Sequence, residues 1–142
     1  MPSSLISTGA AILGLCALAL ASAGDFNGDG KMDLLVLPIA GAPVLLKNET
    51  TSQNSWLGLQ LRGVQSNRDA IGATVTVESC RQKQADTVRS GRSYLSRNDP
   101  RLHFGMGNCK QLDRVTIQWP TGKTQVVKDL LLNRYMTIEE PK

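Results

Sequence analysis

The chain of 142 residues reads as all-β: an antiparallel β-sandwich over residues 56–142, preceded by a smaller β unit. Two observations carry this reading. From Asp33 onward the apolar runs are short, rich in Val, Ile and Leu, and closed by Gly, Asn, Pro or Ser. Several of them also alternate, as in Ala73-Thr74-Val75-Thr76-Val77-Glu78 and Arg114-Val115-Thr116-Ile117-Gln118-Trp119, so one face of each strand is core and the other wet. Many short strands at spacings near ten residues, with turn signals between them, indicate a sandwich.

In order, the expected strands are 34–37, 44–47, 56–62, 73–79, 87–90, 101–104, 114–119, 124–127 and 134–139. Pro120-Thr121-Gly122-Lys123 supplies a hairpin turn between two of them, with proline presetting φ and glycine adopting a conformation other residues avoid. Only residues 128–133 carry a plausible helical turn. Asn48-Glu49-Thr50-Thr51-Ser52-Gln53-Asn54-Ser55 has no apolar residue, so residues 49–55 read as a linker between the two units.

The most specific chemistry lies in the first unit, residues 25–48. Asp25-Phe26-Asn27-Gly28-Asp29-Gly30-Lys31-Met32-Asp33 places oxygen side chains at loop positions 1, 3, 5 and 9, with glycine at position 6. Three carboxylates in nine residues repel one another when ionised, and a hard cation taking six to eight oxygens removes that repulsion. The expected Ca2+ ligands are the side chains of Asp25, Asn27, Asp29 and Asp33 and the main-chain carbonyl of Lys31. An EF-hand would need Glu at position 12, where Val36 stands, and the following Leu34-Leu35-Val36-Leu37-Pro38 reads as a strand. A metal-free Gly/Asp/Asn turn is the alternative.

Residues 1–24 carry no charged side chain, and Ala21-Ser22-Ala23 forms a site of the kind signal peptidase prefers. A signal peptide and an upstream strand running into the acidic loop are both open for this stretch. Three cysteines are present; loss of a leader with Cys16 leaves Cys80 and Cys109, either one disulfide or two independent thiols. Neither lies at zinc-ligand spacing from a histidine or another cysteine.

The formal charge is +4, with nine basic residues against five acids between Arg68 and Arg114. This is either an anion-binding face, with Arg68, Arg92, Tyr94, Arg97 and Arg101 as its candidate residues, or a solvated surface. Arg68 is also a candidate for a buried ion pair with Asp69 or Asp99. Aromatic residues make up 4% of the chain, too few for a single-stranded nucleic-acid stacking platform. His103, the only histidine, stands in an expected strand and reads as hydrogen-bonded within the sandwich. No G-x-S-x-G elbow, Walker loop, dinucleotide fingerprint or HExxH pair is present, and the chain is expected not to be an enzyme.

The acidic loop feeding directly into a strand resembles one FG-GAP repeat of the integrin-propeller type. Asn54-Ser55-Trp56-Leu57-Gly58-Leu59, Ser66-Asn67-Arg68-Asp69-Ala70-Ile71-Gly72, Ser90-Gly91-Arg92-Ser93-Tyr94, Leu102-His103-Phe104-Gly105-Met106-Gly107 and Trp119-Pro120-Thr121-Gly122 together resemble the ASPIC/UnbV domain of the cartilage acidic protein family. The resemblance implies a single β-propeller-type blade fragment followed by the sandwich, in an exported, calcium-associated, non-catalytic interaction or adhesion module. It also implies the C-terminal part of a larger repeat protein, because a lone blade cannot bury both faces. The expected partner is an extracellular protein or glycan, with neither nucleic acid nor membrane insertion. A carbohydrate-binding sandwich and an accessory domain of a larger extracellular enzyme are the alternatives.

Overall fold

The computed structural model describes residues 19–91 and 99–142. Within them lie ten strands and no helix: β1 (Ala19–Gly24), β2 (Asp33–Pro38), β3 (Val44–Leu46), β4 (Ser55–Arg62), β5 (Thr74–Ser79), β6 (Gln82–Thr87), β7 (Leu102–Gly107), β8 (Arg114–Gln118), β9 (Thr124–Val127) and β10 (Tyr135–Glu139). They form three sheets, ordered β1-β2-β3, β10-β4-β7 and β6-β5-β8-β9.

The last two sheets make the sandwich. Leu57, Leu59 and Leu61 of β4 join Leu102, Phe104 and Met106 of β7 on one inner face; Val75, Val77, Val115 and Ile117 form the other, in one continuous core. Each such side chain contributes about 1.5–3 kcal/mol by leaving water. The alternation in the sequence therefore places the core correctly, and the opposite positions Trp56, Gly58, Gln60 and Arg62 turn outward.

Four expectations about elements are corrected. The sheet β10-β4-β7 is mixed, because β10 runs parallel to β4 while β7 runs antiparallel to it. The chain reaches β10 by crossing from the other sheet, not through a hairpin. Residues 128–133 make that crossing and form no helical turn: Asp129 and Asn133 sit at φ of 61° and 60°, and Leu130 and Leu132 pack against the core instead. Asn133 fixes the end of the crossing, its amide donating to Trp56 O at 2.7 Å and its side-chain oxygen accepting Trp56 N at 3.1 Å.

The strand expected at 87–90 is instead β6, which begins five residues earlier and ends at Thr87. Cys80 and Arg81, at φ of 46° and 66°, form the tight turn that pairs Ser79 with Gln82. β6 is the sheet's edge, and its polar sequence suits that place. The sandwich also starts one residue earlier than expected, at Ser55, which is buried.

β1, β2 and β3 form an antiparallel meander, with Ala19 opposite Pro38 and Gly24 opposite Asp33. Residues 19–24 thus form a strand, and a cut after Ala23 would separate most of it from β2. Residues 1–18 lie outside the described residues.

The acidic loop and its seat on the sandwich

The loop between β1 and β2 is shaped by its own carboxylates. Asp25 Oδ1 accepts the amides of Gly28 at 2.7 Å and Asp29 at 3.1 Å, and its Oδ2 accepts the amide of Gly30 at 2.7 Å. Asn27 Oδ1 accepts the Asp29 amide, and Asp29 Oδ1 the Lys31 amide. Gly28 and Gly30 provide the positive φ values, 75° and 84°, that let successive amides turn toward one acceptor. Asp33 closes the loop, accepting Phe26 N at 3.1 Å and, from beyond β3, Asn48 N at 2.8 Å.

Asp25 and Asp33 are buried, whereas Asn27 and Asp29 are exposed. The hydrogen bond from Asn27, reinforced by the Lys31 amide, holds the Asp29 carboxyl below its ordinary range. The four side chains predicted as Ca2+ ligands therefore share one loop, with Lys31 half-buried among them. Among the described residues no three acidic, histidine or cysteine side chains converge as a metal-holding group. In kind, the donor set suits a hard divalent cation. Asn27, Asp29 and Asp33 retain acceptor lone pairs, while both oxygens of Asp25 are fully engaged.

The fourth donor to Asp25 comes from the sandwich: the Tyr135 hydroxyl, on β10, donates to Oδ2 at 2.9 Å. Around it the outward face of β10-β4-β7 builds a seat for the loop. The Trp56 ring lies where a Cβ on Gly30 would stand, 2.0 Å from its Nε1, so only glycine lets the loop meet the indole. Trp56 stacks on His103 with centroids 5.3 Å apart and meets Tyr135 at 5.0 Å. A Cβ on Gly58 would fall 2.2 Å from the Tyr135 ring, so that glycine makes room for the tyrosine.

Arg101 ties the seat together. Its guanidinium lies 3.8 Å from the Tyr135 ring centroid, its Nη2 donates to the Asp25 main-chain oxygen at 2.7 Å, and its Nε contacts both Asp99 oxygens at 2.9 Å. The Asp99 amide in turn donates to Ala23 O at 3.2 Å. Burial pushes the Asp99 carboxyl up, but hydrogen bonds from Arg101 outweigh it and leave it below its usual range; Asp99 in turn raises Arg101. Burial and the bond to Asp25 raise the Tyr135 phenol. Burial lowers the His103 imidazole, whose Nδ1 has no hydrogen-bond partner.

Arg101, expected on a ligand-facing surface, is thus a half-buried structural clamp, because Asp99 and the Tyr135 face fill its reach. His103, expected to be hydrogen-bonded within the sandwich, is held by stacking on Trp56, and its Nδ1 has no partner among the described residues. Arg68 is exposed and forms no buried ion pair; it borders an open polar cleft with Gln60, Arg62, Asn67, Asp69 and Thr137. Arg92, Tyr94 and Arg97 lie outside the described residues. Cys80 and Cys109 are joined in a disulfide with Cα atoms 6.1 Å apart. Trp56, Tyr135 and Asp99 were not singled out with the loop by sequence reasoning; the available signal was two aromatic residues on outward strand positions flanking Gly58.

An acidic-loop β repeat seated on a mixed-sheet sandwich defines the class of this molecule. A family model for ASPIC and UnbV matches residues 63–142, more than half of the chain, and the chain belongs to that family. A model for the FG-GAP repeat matches residues 18–37, which take in β1, the acidic loop and most of β2. Comparison with curated proteins returns no match. The ASPIC and UnbV match begins at Gly63, yet β4, just before it, is the central strand between β10 and β7 and belongs to the same folded unit.

Proposed function

We propose that the chain is an exported, calcium-binding, non-catalytic interaction module of a larger extracellular repeat protein. The FG-GAP and ASPIC/UnbV pair supports the extracellular interaction role. The observation that carries the non-catalytic reading is the use made of the chain's reactive side chains: Asp25, Asp99, Arg101, Tyr135 and His103 all serve the joint between loop and sheet. Groups so engaged position a backbone, which favours a structural joint over a reaction centre.

Calcium enters through the loop. Asn27, Asp29, Asp33 and the Lys31 carbonyl supply hard oxygens, with Asp25 as the position-1 ligand, and a bound ion there neutralises the carboxylates and stiffens the repeat. Asp29→Ala is the test: it lowers the melting temperature in CaCl2 and leaves the chelator-treated protein nearly unchanged. An equal drop in both conditions would refute the calcium role.

A second reading, a glycan-binding sandwich, is favoured by the cleft of about 680 Å³ beside Arg62 and Arg68. Arg68 there faces solvent, free to pair with a sulfate or carboxylate. Retention on sulfated-glycan resin that disappears in Arg62→Ala/Arg68→Ala would establish it, and no retention of the native chain would dismiss it.

A further inference from the structure

Asp25 is the one residue that the loop and the sheet share. An ionised carboxylate offers about four acceptor positions, and all are filled here by Gly28 N, Asp29 N, Gly30 N and the Tyr135 hydroxyl. Three of these donors are the loop's own amides and define its turn. The fourth arrives from a residue 110 positions further along the chain.

A cation at loop position 1 needs a lone pair of Asp25. The amides of Gly28 and Gly30 define the turn that gathers the other ligands, and the Asp29 amide also serves Asn27 Oδ1 at 3.2 Å, so the donor from outside the loop, Tyr135, is the one whose departure leaves the turn intact. Building on the calcium reading above, we propose that the cation and the Tyr135 hydroxyl compete for Asp25, so that the ASPIC-type sheet acts as an internal antagonist of the ion. Such coupling is reciprocal: the sheet weakens cation binding by the same factor that the cation weakens the Tyr135 contact.

The other contacts of the seat do not use the carboxylate. Arg101 holds the Asp25 main-chain oxygen, and Asp99 holds Ala23 O. Cation binding therefore loosens the loop's seat at one corner without releasing the repeat from the sandwich. In this way calcium sets the stiffness of the joint between the two units.

Tyr135→Phe removes the competitor and leaves the ring against Arg101 and Gly58. Isothermal titration of CaCl2 into the chelator-treated full chain is expected to show roughly tenfold tighter binding for Tyr135→Phe than for the native protein, as removal of one hydrogen bond to a charged group implies. Binding by both chains with equal affinity, or weaker binding by the variant, would overturn the competition while leaving the calcium reading intact. No heat from either chain would overturn the calcium reading and the competition with it.

A second measurement needs no change at the site. The chain has two tyrosines, Tyr94 and Tyr135, so 13Cζ labelling gives two resonances that Tyr94→Phe assigns. The Tyr135 resonance is expected to shift as calcium binds, reporting loss of the carboxylate acceptor. A Tyr135 signal that stays fixed through saturation with calcium would overturn the proposal even if Tyr135→Phe did not fold.

Discussion

Gly58 gives the sharpest test of how the loop's seat is built. It lies on β4 with His103 opposite on β7 and Tyr135 opposite on β10. In Gly58→Ala the new Cβ would stand 2.2 Å from Tyr135 Cδ1 and 2.4 Å from Cε1. Ordinary carbon contacts are about 3.5–4.0 Å, so the ring must move by about an ångström or more. Such a shift pulls the hydroxyl from Asp25, a bond to a charged acceptor worth about 1.5–3 kcal/mol. It also lifts the ring from Arg101, a cation–π contact worth about 0.5–2 kcal/mol. Alanine returns about 0.5–1 kcal/mol over glycine within a strand. The expected net loss is about 1–4.5 kcal/mol, read from urea unfolding followed by circular dichroism. In a Tyr135→Ala background the clash has no object, and Gly58→Ala is then neutral or slightly stabilising. The same loss in both backgrounds would refute the assignment of Gly58 to the tyrosine.

The other predictions concern the sandwich itself. The Cys80–Cys109 bridge closes 29 residues between the β5–β6 turn and the segment after β7, so Cys80→Ser/Cys109→Ser is expected to lower stability by about 3–4 kcal/mol. An unchanged urea midpoint would show the bond to be absent or idle. Glu140 gives a pH signature. Burial raises its carboxyl, but the Thr121 hydroxyl and the amides of Ser66, Val64 and Gln65 outweigh that and bring it to about 2 from its ordinary 4.5. A depressed folded value means that its contribution is present above the unfolded value and fades as pH falls from 4.5 toward 2. The melting temperature of the native chain should therefore drop across that window more steeply than that of Glu140→Gln, and parallel curves would contradict it. Leu59→Ala, at a site with no exposure on the central strand, should cost about 2–5 kcal/mol by cavity formation; a loss under about 1 kcal/mol would show that the core lies elsewhere.

What the sequence disclosed, and what it withheld, follows the range of each interaction. β4, β5 and β8 were legible because alternation is a local record of which face meets the core. The acidic loop was legible because its turn is written in nine consecutive residues. β6 was hidden because an edge strand gains little by being apolar, and Gln82–Thr87 shows no alternation; its turn, Cys80-Arg81, lacks the usual Asn-Gly signal. The parallel β10–β4 pairing was hidden because it depends on a crossing that Asn133 pins to Trp56, 77 residues away. Tyr135 and Arg101 reach Asp25 across 110 and 76 residues, a juxtaposition no spacing rule encodes. Asp25 itself was found for its charge, but half of its role is to anchor the sheet.

Amide hydrogen exchange on the calcium-free chain tests the central claim, that the Asp25 carboxylate is shared between the loop's own amides and the sandwich. The amides of Gly28 and Gly30, which donate to Asp25, are expected to exchange slowly in the native protein and faster in Tyr135→Phe, with the β5 and β8 core amides unaffected. Fast exchange at Gly28 and Gly30 in the native protein, or rates unchanged by Tyr135→Phe, would mean that the loop folds without its seat on the sheet.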